Sequence, residues 1–172
     1  KLLHRQIGET LEQMYADLLD ELAAVLAHHF QAAGAAERAR AYFEQAGRHA
    51  LDSYANAEAL IHFSQALLVA ATLPPAGQEA IYHGRARAYE ALGKPGDAAD
   101  AYAKYLEEEP EASDRKAIEG RIATLRGQAN ELAAARRDPA QPRESDDGIG
   151  VVPWIVAGVG VAAIGTGVVL AL

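Results

Sequence analysis

A recurring spacing of small and aromatic residues limits what this chain can fold into. The clearest copy reads Ala86-x2-Tyr89-x3-Gly93-x4-Ala98-x3-Tyr102-x2-Tyr105-x4-Pro110. An earlier copy reads Leu26-Ala27-x2-Phe30-x3-Gly34-x4-Ala39-x3-Phe43-x2-Ala46, and a third reads Ala59-x3-Phe63-x2-Ala66. Small residues let two antiparallel helices touch, aromatics fill the gap beside them, and glycine permits the tight turn. The spacing therefore predicts helix pairs, with the third copy sharing its first helix with the preceding unit.

Apolar periodicity predicts helices along the whole charged part of the chain. Alanine dominates the composition and β-branched residues are scarce before residue 149, which favours helix at nearly every position. The predicted helices are a first one carrying Leu11, Met14 and Leu18, then about 18–32, 36–53, 57–72, 78–92 and 98–109, and a last one from Ser113 onward. The last helix carries a narrow apolar seam from Ile118 to Leu132, which predicts that it closes the array; a short coiled coil is the alternative.

The repeated spacing resembles the tetratricopeptide family between residues 18 and 110. The resemblance implies an all-α, TPR-like α-solenoid of about six to seven helices over residues 1–135. An alanine-rich helical bundle without repeats is the alternative. In a tetratricopeptide superhelix, the first helix of each unit lines a concave groove that binds extended peptides or helices. Helical spacing then predicts a set of polar groove residues: Glu21, His28, Gln31, Glu44, Arg48, His83, Arg87 and Glu90. Ordinary surface positions are the competing interpretation for each of them.

The C-terminal end predicts a membrane anchor. Residues 136–150 are polar and rich in proline and glycine, as in a flexible linker. Residues 151–172 carry no charge, and the twenty residues from 153 onward would span about 30 Å as a helix. Pro153 suits the first turn and Trp154 an interfacial position. The pairs Gly158/Ala162 and Ala163/Gly167 would allow close self-association in the membrane. We therefore expect a single-pass membrane protein. Arg136, Arg137 and Arg143 precede the apolar segment, and positive charge favours the cytoplasmic side, so we expect the repeats to face the cytoplasm, with a periplasmic location as the alternative.

Several classes of chemistry have no support in the sequence. The chain has no cysteine, and its formal net charge of −8 argues against nucleic-acid binding. No phosphate-binding loop ending in Gly-Lys-Ser/Thr is present, and the six histidines have no metal-ligand spacing. We predict no catalytic residue, no metal site and no cofactor.

Two further resemblances bear on function. The pattern Leu22-Ala23-x3-Ala27-His28-His29-Phe30, with Tyr42-Phe43-x2-Ala46-Gly47 after it, is similar to the helical repeats that follow the nucleotide-binding module of bacterial AAA/STAND-type signalling ATPases. The second half, from Ala101 onward, is similar to membrane-anchored bacterial repeat proteins. The leading hypothesis is a membrane-tethered scaffold or adaptor module of a larger bacterial protein, with a protein or peptide as partner. The alternatives are the regulatory repeats of an ATPase or serine/threonine kinase encoded upstream, and a structural spacer.

Overall fold

The computed structural model describes residues 1–74 and 77–137, which form helices joined by short turns. The helices are α1 (Leu2–Met14), α2 (Leu19–Ala33), α3 (Ala36–Asp52), α4 (Asn56–Ala70), α5 (Glu79–Ala91), α6 (Pro95–Glu108) and α7 (Arg115–Arg137). A single 3-10 turn, Ala16–Leu18, separates α1 from α2, and the described residues contain no strand. The predicted all-α class is confirmed.

Most helix ends lie within a few residues of the predicted ones, and the differences have local causes. The first helix stops at Met14 because Tyr15 leaves helical geometry, with φ −127° and ψ 42°. The sixth starts at Pro95 itself, since the fixed φ of proline suits the first turn of a helix. Helix α7 continues to Arg137, two residues into the segment predicted as linker.

Three turns between consecutive helices share one geometry. A residue in the left-handed region ends α2, α3 and α5: Gly34 at φ 81°, Tyr54 at φ 60° and Gly93 at φ 65°. In each turn, the residue that follows the left-handed one donates its backbone N–H to the carbonyl of the residue five positions before it, at 2.8–2.9 Å. This is the hydrogen-bond pattern that satisfies the free carbonyls at a helix C-terminus. The three copies of the sequence pattern therefore correspond to three equivalent helix–turn–helix junctions.

Packing arranges the helices in two layers. Each helix packs against the next one along the chain, and α3 also packs directly against α5. Side chains join α1 to α3 through Arg38, which pairs with Glu9 and Glu12, and α5 to α7 through Glu90 and Arg121. Helices α1, α3, α5 and α7 thus form one layer, here called the odd-helix layer. Helices α2, α4 and α6 form the other, the even-helix layer.

Aromatic rings seated on helical glycines hold the two layers together. Phe30, Phe43 and Phe63 are fully buried in the first of two core clusters. The Phe63 ring of α4 lies against both Gly47 of α3 and Gly84 of α5, where a Cβ atom would come within 2.7–2.8 Å of ring carbons. Such contacts leave no room for a side chain at either glycine. A second cluster, built around Tyr102, Leu106, Ile118, Ile122 and Leu125, joins α6 to α7.

The predicted membrane helix, residues 151–172, lies outside the described residues. Among residues 1–74 and 77–137, no helix is long and apolar enough to cross a membrane. The anchor residues Pro153, Trp154, Gly158, Ala162, Ala163 and Gly167 therefore stay a prediction from sequence.

Candidate protein-binding surface

The structure divides the predicted groove residues between the two layers. Glu44 and Arg48 lie on α3, and His83, Arg87 and Glu90 lie on α5, so these five residues share the odd-helix layer. Glu21, His28 and Gln31 lie on α2, in the even-helix layer. A single groove for the whole set would require α2 to occupy the same layer as α5. The packing instead places α3 beside α5.

The α3 part of the odd-helix layer is an ion-pair network. The Glu44 carboxylate accepts from Arg48 at 2.8 Å and lies 3.4 Å from the guanidinium of Arg40, in each case one turn away on the same helix. Arg40 also donates to the carbonyl of Gly77, at 2.8 Å, just before α5. Glu44 is largely covered, whereas more than half of the Arg48 side chain is exposed. Glu44 therefore positions two arginines, and Arg48 presents its guanidinium to solvent.

Glu90 fastens α5 to α7. Two nitrogens of the Arg121 guanidinium, Nε and Nη2, donate to the two oxygens of its carboxylate, the two-point geometry that matches a planar guanidinium to a carboxylate. The hydrogen bond from Arg121 holds the pKa of Glu90 below its usual value. Burial, together with the nearby Glu90 carboxylate, raises the pKa of the Tyr102 phenol to about 12. Glu90 is thus a structural residue whose charge is already neutralised within the chain.

His83 is packed between aromatic rings of α6. Its ring centroid lies 5.7 Å from that of Tyr102 and 5.2 Å from that of Tyr105. The Tyr105 hydroxyl donates to Asp114 at 2.9 Å, which ties the start of α7 to the same cluster. Burial lowers the pKa of His83, against the opposing charge of Asp114. His83 is therefore half-buried and supports the junction of α5, α6 and α7.

Arg87 is the exposed cation of α5. On a helical wheel it lies between Gly84, which faces α4, and the pair His83/Glu90, which faces α6 and α7. This direction points away from the even-helix layer. Within the described residues Arg87 forms no ion pair. Together with Arg48 it forms the exposed positive part of what we call the odd-helix surface: Glu37, Ala41, Glu44 and Arg48 of α3, with Arg87 and Ala91 of α5.

The three residues on α2 have separate surroundings. Glu21 and Gln31 are exposed. The His28 ring meets the Phe43 ring edge-on, with centroids 5.1 Å apart, so it covers the core as well as facing solvent.

Sequence reasoning missed a second polar cluster, between α1 and α3. Arg38 pairs with Glu9 and Glu12 and lies 3.8 Å from the centre of the Phe30 ring, in a cation–π contact. The Tyr42 hydroxyl donates to Glu12, and burial with this hydrogen bond raises the Tyr42 pKa to about 12. Glu12 and Arg38 are 26 residues apart, so no short-range spacing signals the pair. Like the Glu90–Arg121 pair at the opposite end of the odd-helix layer, this pair joins two neighbouring helices of that layer.

The described residues offer shallow clefts rather than an enclosed cavity for a small molecule. Two of these clefts, of about 360 and 480 Å³, lie between α6 and α7 and are open to solvent. Neither includes a predicted groove residue, whereas two smaller clefts include Glu90 and Arg48 respectively. Comparison of the chain with protein-family models, with curated proteins and with solved structures gives no match.

Proposed function

We propose that this chain is a membrane-tethered, tetratricopeptide-like interaction module that binds a protein partner on its odd-helix surface. The observation that carries the proposal is the direct lateral packing of α3 on α5, with ion pairs joining α1 to α3 and α5 to α7. In tetratricopeptide arrays, the first helices of successive units lie side by side in this way and line the binding groove. The equivalent turns at Tyr54 and Gly93 support the same assignment, because each joins the first helix of a unit to its second.

Charge defines the partner's chemistry on this surface. Arg48 and Arg87 are its exposed cations. Arg48 already pairs with Glu44 but keeps more than half of its side chain exposed, Glu90 is paired with Arg121, and Arg87 forms no ion pair within the described residues. A partner segment with carboxylates would gain two charge-assisted hydrogen bonds here without breaking a buried pair. We therefore propose an extended or helical partner segment that carries acidic residues. The proposal that residues 151–172 tether the chain to a membrane is supported by their uncharged, apolar sequence.

A charge-reversal experiment tests the binding surface. The tagged 172-residue chain is used to recover partners from detergent-solubilised membranes of the source cells, and one recovered partner is then titrated. Arg87→Glu, alone or with Arg48→Glu, should weaken binding about tenfold or more, because each change replaces an attraction by a repulsion. Lys104→Glu on α6 is the matched control, since it reverses an equally exposed charge on the even-helix layer. Equal losses from Arg87→Glu and Lys104→Glu would contradict the proposal.

His83 is a poor probe of binding because its ring supports the α5–α6–α7 junction. A loss of binding in His83→Ala would combine an effect on packing with an effect on recognition, whereas Arg87 makes no comparable contact in the described chain.

A deletion tests the proposed membrane tether. Removal of residues 151–172 should move the chain from the membrane pellet to the supernatant after ultracentrifugation. Retention of the shortened chain in the pellet would refute the anchor.

A further inference from the structure

Two imidazole rings meet where α1 packs on α2. The Nδ1 atoms of His4 and His29 lie 3.0 Å apart, and the ring centroids are 5.2 Å apart with planes tilted by 42°. His4 is exposed and His29 is half-buried, so the space beside the two nitrogens is open to solvent. The arrangement joins residues 25 positions apart, which is why no histidine spacing in the sequence reveals it.

The distance between the nitrogens suits a shared metal ion. Two neutral imidazoles in this position can share only one proton, because one Nδ1 must donate and the other must accept. A divalent ion can instead accept both lone pairs. With Zn–N bonds near 2.0–2.1 Å, two ligands on one ion are about 3.3 Å apart at the tetrahedral angle and about 2.9 Å apart at a right angle. The separation of 3.0 Å lies between these values, so the nitrogens would keep their spacing while the two rings rotate to direct both lone pairs onto one ion.

We propose that His4 and His29 form a two-histidine site for a late first-row divalent metal ion such as Zn²⁺, Ni²⁺ or Cu²⁺. Imidazole nitrogen is a preferred ligand of each of these ions. Within residues 1–74 and 77–137 no group of three or more potential ligands occurs, so the chain described here supplies two ligands. Water completes the coordination sphere. With about half the ligands of a structural zinc site, we expect a dissociation constant on the order of 10 µM.

Metal binding at this position would fasten α1 to α2. Gly8 is the only buried residue of α1, and it packs on the Phe30 ring. The rest of its attachment consists of Leu11 packed on the core, the Tyr42–Glu12 hydrogen bond, and the pairs that Arg38 forms with Glu9 and Glu12. A metal bridge to α2 would add a bond between the two helices that any opening of α1 must break. The ion therefore stabilises α1 more than the rest of the array.

The test is a titration of the full 172-residue chain, in detergent and a chelator-free buffer at pH 7.5, with ZnCl₂ or NiCl₂ alone as the probe. Calorimetry should show one site, and 200 µM metal should raise the melting temperature by about 5 °C. His4→Ala and His29→Ala should each weaken binding at least tenfold and remove the shift. His28→Ala is the matched control, since it removes the neighbouring imidazole on the same helix, whose ring meets Phe43 rather than His4.

Hydrogen exchange separates this site from ordinary surface binding. Added metal should slow exchange in α1 at least threefold, with little change in α6 and α7, and this protection should be absent in His4→Ala. Far-UV circular dichroism without metal checks that both variants keep their helices, as expected for two solvent-facing side chains. Wild-type affinity in both His4→Ala and His29→Ala, or no binding at 1 mM metal, would overturn the proposal.

Discussion

The packing of the Phe63 ring against Gly84 gives the most specific prediction about stability. Gly84 of α5 lies so close to this ring that a Cβ atom would stand 2.8 Å from both Cε1 and Cε2. Real Cβ atoms do not approach carbon this closely, so either the ring or α5 must move. Both belong to the same tightly packed core, in which Phe63 is fully buried. The glycine is thus required by packing, although it lies in a helix where alanine is intrinsically better.

The magnitude follows from two opposing terms. Overpacking a core by one methyl group costs about 1–3 kcal/mol. Replacing a mid-helix glycine by alanine gains about 0.5–1 kcal/mol from propensity. We expect Gly84→Ala to lower the free energy of unfolding by about 1–2 kcal/mol. Gly120→Ala on α7 is the matched control, because its Cβ would meet no atom within 4 Å, and it should raise stability by about 0.5–1 kcal/mol.

Urea unfolding of the 172-residue chain in a mild detergent, followed by far-UV circular dichroism, measures both changes. A double-mutant cycle with Phe63→Leu identifies the cause, since a smaller side chain leaves room for the methyl group. In the Phe63→Leu background, the cost of Gly84→Ala should shrink by about 1–2 kcal/mol. Stabilisation by Gly84→Ala similar to that by Gly120→Ala, or an unchanged cost in the leucine background, would refute the packing argument.

Three further changes test other parts of the fold by the same unfolding assay. Tyr54 is 88% exposed and holds φ 60°, so Tyr54→Gly should stabilise by about 0.5–1 kcal/mol; a loss of stability would show that the ring contributes contacts. The pKa of Glu90 is lowered in the folded chain, so its contribution is present at neutral pH and is lost as the pH falls below about 4.3; Glu90→Gln should cost about 1 kcal/mol at pH 7 and less at pH 3, and a pH-independent cost would contradict the pairing. The pKa of His83 is also lowered, so the unfolded chain binds more protons below pH 6.5 and stability should fall between pH 7 and pH 5.5; His83→Gln should flatten this dependence, and an unchanged slope would exclude His83 as its source.

Local features of the fold were accessible from sequence because their causes are local. The repeated spacing predicts a tight turn at Gly34 and at Gly93, and both glycines adopt the left-handed geometry that glycine favours. Apolar periodicity placed Phe63 inward, and its side chain is fully buried. Tyr54 adopts the same left-handed conformation without being a glycine. A tyrosine does not predict such a conformation, so this turn could not be located from the residue type. Nothing in the residue types at Met14 and Tyr15 marked the 3-10 turn that ends α1.

The layering of the helices was not accessible in the same way. Whether α2 or α3 lies beside α5 depends on contacts between residues far apart in the chain, and both helices carry small and aromatic residues within one turn of each other. The pair Glu90–Arg121, 31 residues apart, and the pair Glu12–Arg38 join neighbours within the odd-helix layer. Glu90 was expected in the groove as a recognition residue, and the structure instead pairs it with α7. Arg87 and Arg48 keep the exposed positions that recognition requires.

Crosslinking from single cysteines tests the central claim, binding on the odd-helix surface, most directly. The chain has no cysteine, so one introduced thiol carries a photoreactive label at a single known position. Labels at Ala41→Cys and Ala91→Cys, exposed positions of the odd-helix surface beside Arg48 and Arg87, should yield a covalent adduct with the same partner in native membranes. Labels at Ile61→Cys and Lys104→Cys, exposed positions of the even-helix layer, should yield little or none. Adducts of equal yield from all four positions, or from Ile61→Cys and Lys104→Cys alone, would contradict a binding surface on the odd-numbered helices.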